Sequence, residues 1–215
     1  PTPSVIMTPE LRKAMGEQAL MMARAVNYQS AGTVEFLVDK NRDFYFLEMN
    51  TRLQVEHPIT EMITGQDLVA HMIAVAAGYE LPITQHDVTI NGHAIESRVY
   101  AEDPFRNFLP AIGRLRRYQE PAPPVRCDTG VREGSEISMY YDPMVSKTVT
   151  WGKTRDEALQ GMRDALDTYI IEGIGHNIPL LRSILDHDRF IDGRRVTTKF
   201  IGEEYPEGFK PSSLT

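Results

Sequence analysis

A single cysteine, Cys127, stands among the 215 residues, so no internal disulfide can staple this chain and a reducing compartment suits it. Positive charge is also in short supply. Twenty-three Lys and Arg face 30 Asp and Glu, a net charge of −7, and the basic residues are scattered apart from Arg114, Arg116 and Arg117. That balance excludes an extended nucleic-acid face. Long apolar runs are missing too: the most apolar stretch, Leu68 to Tyr79, contains His71 and Gly78 and is too short to span a bilayer, so no membrane segment is expected. Residues 1–8 lack the charged start and apolar core of a secretion signal, and the chain opens without Met, which leads us to expect sequence upstream. The expected location is the cytoplasm for a bacterial source and the mitochondrial matrix for a eukaryotic one. What is present is ordinary: 41% apolar and 25% charged residues, with 15 Gly and 14 Pro, describe a folded protein of one or two domains.

Thr8 before Pro9, followed by Leu11, Met15, Ala19, Met22 and Val26, predicts a capped amphipathic helix whose Met-rich stripe faces a core. Two β runs follow, Thr33 to Val38 and Phe44 to Met49, joined by a polar connection suited to a hairpin. A second helix is expected over about Gln66 to Ala77, closed by Gly78. The composition then changes, and short β segments are expected at His93 to Tyr100, Gly113 to Gln119 and Met144 to Trp151. Thr154 with Glu157 makes a capping box ahead of Ala158, Leu159, Met162, Ala165, Leu166 and Tyr169 at helical spacing. Gly173 and Gly175 break that helix, and Asn177 to Leu185 starts another. This order predicts an α+β fold, not a regular alternating series. The expected division is a first domain over residues 1–90, a second over 91–203 and a tail from 204.

The hairpin carries the first chemical signal. Side chains alternate along a strand, so Phe44, Phe46, Glu48 and Asn50 are expected on one face and Tyr45, Leu47 and Met49 on the other. With Lys40 to Asp43 as the loop, Asp39 pairs with Phe44 and Glu35 falls opposite Glu48, two carboxylates facing each other in an apolar neighbourhood. Like charges across a sheet repel, and neither run offers Lys or Arg on that face. A bound cation would resolve the conflict. Two carboxylates and an amide are hard ligands suited to Mg²⁺ or Mn²⁺, with phosphate and water filling the remaining positions. The alternative is that one Glu merely caps the strand edge in solvent.

Directly after Asn50 comes the polar run Thr51, Arg52, Leu53, Gln54, Val55, Glu56, His57, Pro58. An Arg can grip a small carboxylate or bicarbonate through two parallel hydrogen bonds, an amide can add a third, and a nearby Glu can take a proton. The bland reading of Arg52 and Glu56 is a solvated ion pair at i and i+4, and that of His57 is a turn residue before proline. His71 reads as a satisfied or solvated helix residue, Cys127 and Trp151 have packing readings only, and Asp142 before Pro143 makes a good turn.

Several of these segments resemble one known family. The run FLEMNTRLQVEHPITEMITGQDLV, from Phe46 to Val69, is similar to the signature of biotin carboxylases, members of the ATP-grasp fold. The likeness continues through GHAIESRVYAEDP, YYDPMVSK and HNIPLLRSIL and spans nearly the whole chain, and the segments RVYAEDP, GRLRRYQEP and TKFIGEEYPEGF point to the acyl-CoA carboxylase branch. The resemblance implies the C-terminal half of an ATP-grasp domain followed by the biotin carboxylase C-terminal subdomain. It implies that Glu35, Glu48 and Asn50 bind metal ions bridging the phosphates of ATP, and that Arg52, Gln54 and the backbone of Val55 hold bicarbonate. Glu56 would deprotonate bicarbonate for attack on the γ-phosphate, giving carboxyphosphate. Arg98 would stabilise the enolate of biotin as its ureido nitrogen takes up CO₂; the plain reading of Arg98 is a strand-edge charge paired with Glu96 or Glu102. The implied partners are ATP, bicarbonate, a biotin carrier domain, a carboxyltransferase β subunit and further copies in an oligomer.

Two family features do not occur in the sequence. No G-x-x-x-x-G-K-[ST] or other Gly-rich phosphate lid is present, and no lysine follows a methionine as in the biotin attachment site. The chain by itself is therefore expected neither to bind ATP tightly nor to turn over. The competing expectation is a non-catalytic assembly module in which the acidic hairpin is only structural.

Overall fold

The computed structural model describes residues 2–194 and 196–210. They form two compact units, one of Pro3–Asn91, the other of Thr2 and the residues from Gly92 onward.

The first unit opens with helix α1, Pro9–Ala25, capped as the sequence predicts: the Thr8 hydroxyl accepts the Leu11 amide at 3.2 Å. Leu11 is buried, and Met15, Ala19 and Met22 of the expected stripe are half-buried, whereas Val26 is exposed. Strands β1, Thr33–Val38, and β2, Phe44–Asn50, form the antiparallel hairpin. Two helices follow, α2 at His57–Thr64 and α3 at Leu68–Ala76. The single helix expected from Gln66 thus starts later, at the Asp67 cap, and another precedes it. Gly78, at φ 88°, takes the left-handed conformation that ends α3.

The second unit is built on a three-stranded antiparallel sheet of β3, His93–Tyr100, β8, Arg126–Thr129, and β10, Met144–Gly152, in the order β3-β10-β8. Helix α4, Arg155–Thr168, packs on β10 and β3. All six apolar residues read from its helical spacing are buried, with Ala158 and Met162 at 0% exposure. Thr154 caps the Glu157 amide as expected, but the Glu157 carboxylate accepts the amide of Lys153, one residue before the cap. Short strand pairs complete the unit: β4, Glu102–Asp103, with β5, Leu109–Pro110; β6, Gly113–Arg114, with β9, Glu136–Ile137; and β7, Arg117–Gln119, with β11, Ile170–Glu172. The strand expected over Gly113 to Gln119 is therefore two strands, because its halves serve different partners. The Leu115 amide goes to Ser135 and the Arg116 amide to Glu172. Gly173 makes this possible: a Cβ there would lie 2.2 Å from the Arg114 carbonyl. Helices α5, Ile178–Asp186, α6, Asp188–Asp192, and α7, Phe200–Glu204, close the unit. Trp151, expected to pack inside, is 36% exposed and lies over Gly92.

Candidate functional site

The hairpin brings the two carboxylates together by a route the sequence did not show. Thr33↔Asn50, Val34↔Met49 and Glu35↔Glu48 follow the expected register, but Phe36↔Phe46, Leu37↔Tyr45 and Val38↔Phe44 are one residue out. A β-bulge between Glu35 and Phe36, with Leu47 unpaired, absorbs the difference. Asp39 does not pair with Phe44; its amide donates to the Asp43 carbonyl at 2.9 Å, closing a turn one residue shorter than expected, and its carboxylate accepts the amides of Asn41 at 2.8 Å and Asp43 at 2.9 Å.

The bulge also breaks the alternation. Phe44 and Phe46 edge-pack on Phe36, with ring centroids 5.3 and 6.5 Å away. Glu48 and Asn50 instead gather with Glu35, the residue before Phe36 and hence on the opposite face of β1. The expected shared face for all four residues is corrected accordingly, as is the apolar setting expected for the carboxylates: Glu48 is exposed and Glu35 half-buried, with the rings on the other side.

Within this cluster one atom serves both acids. Asn50 Nδ2 donates to Glu35 Oε1 at 2.7 Å and to Glu48 Oε1 at 3.2 Å. Gln54 Nε2 reaches the same Glu35 oxygen at 3.4 Å, and Arg52 Nη1 donates to Gln54 Oε1 at 2.7 Å and to the Leu53 carbonyl at 3.3 Å. A continuous polar chain therefore runs from Arg52 through Gln54, Glu35 and Asn50 to Glu48. Among the described residues no set of three His, Cys, Asp or Glu side chains is arranged to hold a metal. The set here is two carboxylates and an amide, each carboxylate holding one oxygen against Asn50 Nδ2, and with the amide turned to present its Oδ1 this donor set fits a hard divalent cation completed by outside oxygens.

Arg52, Gln54, Glu56 and His57 line a cavity of about 170 Å³ with Gly32 and Leu68. Glu56 is the residue before α2 and is exposed. His57 is not a simple turn residue. It opens α2 with Pro58 beside it, and its ring Nδ1 lies 2.8 Å from the Gln54 carbonyl. Helix α2 and the buried Glu61 were missed by sequence reasoning; the available signal was Pro58 at a first helical turn followed by Ile59, Met62 and Ile63.

Arg98 lies on β3, in the other unit. Its Nε is 3.6 Å from Glu96 Oε1, with the Arg98 side chain 38% exposed and that of Glu96 only 6%. Across the sheet it stands opposite Lys147, which is itself opposite Asp128. Lys147 Nζ is 3.4 Å from Asp128 Oδ2, and Arg126 donates from Nε at 2.8 Å and from Nη2 at 3.0 Å to the same carboxylate. Burial pushes the Asp128 carboxyl up, but the bonds and charges of Arg126 and Lys147 outweigh it and hold the group below its ordinary value. Cys127 next to it is half-buried, its thiol pushed up to about 11 chiefly by burial, which leaves it an inert packing residue. Asp142 fills its expected turn role, accepting the Met144 amide at 2.8 Å. His71 bonds Gln66 at 3.0 Å on its helix.

These features can be set beside known proteins. Residues 1–84 match the model of the carbamoyl-phosphate synthase L chain, ATP binding domain, and residues 96–203 match that of the biotin carboxylase C-terminal domain. The mitochondrial propionyl-CoA carboxylase alpha chain of Caenorhabditis elegans is 61% identical over 99% of this chain and 30% of its own length. The propionyl-CoA carboxylase alpha chain of Ruegeria pomeroyi is 57% identical over 99% of this chain and 34% of its own. This is the branch toward which RVYAEDP, GRLRRYQEP and TKFIGEEYPEGF point, and the chain spans about a third of the length of these relatives. Among solved structures, the biotin carboxylase domain dimer of Hydrogenobacter thermophilus 2-oxoglutarate carboxylase, in complex with MgADP, ADP and bicarbonate, is 43% identical with a TM-score of 0.92, covering 96% of this chain and 45% of that one. No helix among the described residues is long and apolar enough to cross a membrane. With an α+β fold that ends an ATP-grasp domain and continues into the matched C-terminal domain, the chain belongs to the biotin carboxylase family.

Proposed function

We propose that this chain supplies the metal, bicarbonate and biotin-facing groups of the ATP-dependent biotin carboxylation step in an acyl-CoA carboxylase alpha chain of the propionyl-CoA type. The observation that carries the reading is the polar chain linking Arg52, Gln54, Glu35, Asn50 and Glu48 within one hairpin and the turn that leaves it. Glu35 and Glu48, in register with no Lys or Arg ion-paired to either among the described residues, have negative charge to spare for a cation. Glu35, Glu48 and Asn50 would hold Mg²⁺, or Mn²⁺, which when bound neutralises charge on the phosphates of ATP.

Bicarbonate fits the neighbouring groups. Arg52 offers a forked cation, Gln54 an amide and Val55 a backbone donor, and Glu56 takes the proton. With that proton gone, a bicarbonate oxygen attacks the γ-phosphorus, the bond to the β–γ bridging oxygen breaks, ADP leaves and carboxyphosphate forms. In the 91–203 region, Arg98 is assigned to the ureido oxygen of biotin, which a carrier domain would deliver. Glu96, at 3.6 Å, would hold the guanidinium in place. A carboxyltransferase β subunit would then use the product, within an oligomer, in the mitochondrial matrix or the bacterial cytoplasm as the source dictates.

The test is ADP release from MgATP by the complete carboxylase, with and without bicarbonate and biotin. Glu48→Gln is expected to lower Mg²⁺-dependent cleavage about 10²- to 10³-fold while leaving thermal unfolding unchanged. Near-normal turnover in that variant would sink the metal assignment.

A further inference from the structure

His57 and Glu61 have no role in the chemistry above, yet they are built into the turn that performs it. Two donors on His57 converge on one acceptor: its backbone amide lies 3.1 Å from the Gln54 carbonyl oxygen and its ring Nδ1 lies 2.8 Å from the same atom. A ring nitrogen that bonds a carbonyl must carry the proton, so Nδ1 is the protonated nitrogen. The far side of the ring faces Glu61, with Nε2 and Oε2 3.9 Å apart and the two side chains only 13% and 8% exposed. Glu61 is itself anchored, its Oε1 accepting the Leu68 amide at 2.7 Å where α3 begins. A buried carboxylate is costly to keep unless it is bonded in this way.

The consequence lies in the peptide plane. The Gln54 carbonyl and the Val55 N–H belong to one trans unit and point in opposite directions. Whatever fixes that carbonyl also aims that N–H. We propose that His57 is a positioning residue that sets the Gln54–Val55 peptide so that the Val55 N–H is directed at the small anion held beside Arg52 and Gln54. This rests on the bicarbonate reading above. In this role the ring acts through the backbone.

Asparagine and glutamine separate this role from packing. The amide nitrogen of Asn reaches the place of Nδ1, whereas that of Gln reaches the place of Nε2. In the complete carboxylase, His57→Asn is expected to keep bicarbonate KM within about threefold of the parent, while His57→Gln raises it about tenfold, the worth of one well-made hydrogen bond. ATP KM and the unfolding temperature should match between the two variants. Hydrogen exchange of a peptide covering residues 52–57 should be faster in the Gln variant than in the Asn variant. Equal exchange and equal KM in both would overturn the proposal. A turn that loosens in the Gln variant while bicarbonate KM stays at the parent value would instead overturn the bicarbonate reading, and with it the purpose assigned to the ring.

Discussion

The two units are filled in opposite ways. From Gly92 onward, Ile95, Val99, Leu115, Val145, Leu159, Met162 and Leu166 form one cluster with no side chain more than 2% exposed. Between Pro3 and Asn91 the buried apolar side chains are few, Leu11, Pro58 and Ile63 among them, while Leu37, Tyr45, Phe46 and Leu47 on the hairpin are each at least half exposed. A two-stranded hairpin is marginal without packing on a face. What orders the first unit around its site is a set of hydrogen bonds: Asn50 to two acids, Arg52 to Gln54, His57 to a carbonyl, Glu61 to the start of α3. The core-rich unit should therefore answer to changes in volume, and the core-poor unit to changes in polar geometry.

The hardest test of that contrast is Met162→Ala, which empties space at a fully buried position and is expected to cost about 2–5 kcal/mol in denaturant unfolding. A loss under 1 kcal/mol would remove the distinction. The helix caps sharpen it, because both units use the same bond at the same length: Thr8 to the Leu11 amide and Thr154 to the Glu157 amide, each 3.2 Å. Thr8→Ala and Thr154→Ala should each cost about 1 kcal/mol if local capping alone decides. A clearly larger loss at Thr154 would show that the packed core amplifies a local defect.

A gentler probe is pH. Burial holds His176 below the ordinary imidazole value of 6.5, with Asp103 opposing only in part, and its Nδ1 has no hydrogen-bond partner. Below pH 6.5 the unfolded chain takes up a proton that folded His176 resists, so stability in the second unit should fall as pH drops from 6.5 toward 5. His176→Gln should flatten that slope in thermal unfolding followed across the range. Smallest of all should be Tyr45→Ser, at a position 58% exposed, which is expected to change stability by no more than about 0.5 kcal/mol.

The same contrast governs what could be read from residues alone. Helix α4 was legible to its last buried position because a 3.6-residue apolar period is the trace of a helix lying on a core. The opposition of Glu35 and Glu48 was legible because hairpin pairing is arithmetic. The turn was assigned one residue too long, since Asp39 bonds Asp43 and not Phe44, and the bulge restored the pairing farther along, so the right opposition followed from an incomplete path. Helix α2 escaped because it is eight residues long, has no side-chain cap and begins in the polar run Glu56, His57, Pro58. The division of Gly113 to Gln119 escaped because its cause is remote: Ser135 and Glu172 claim neighbouring amides, and nothing local announces them. The link from His57 to the Gln54 carbonyl escaped for a similar reason, since a contact to backbone leaves no partner side chain in the sequence to pair with.

The unpaired Leu47 has a consequence for how this strand tolerates changes in length. A chain lacking that one residue could keep all six pairs between β1 and β2, with Glu48 still beside Glu35 and the phenylalanines still on the far side. Loss of Met49, between Glu48 and Asn50, would instead put those two side chains on opposite faces. The bulge thus works as a frame marker, splitting β2 into a segment of aromatic packing and a segment of charge whose lengths can drift independently at that one joint.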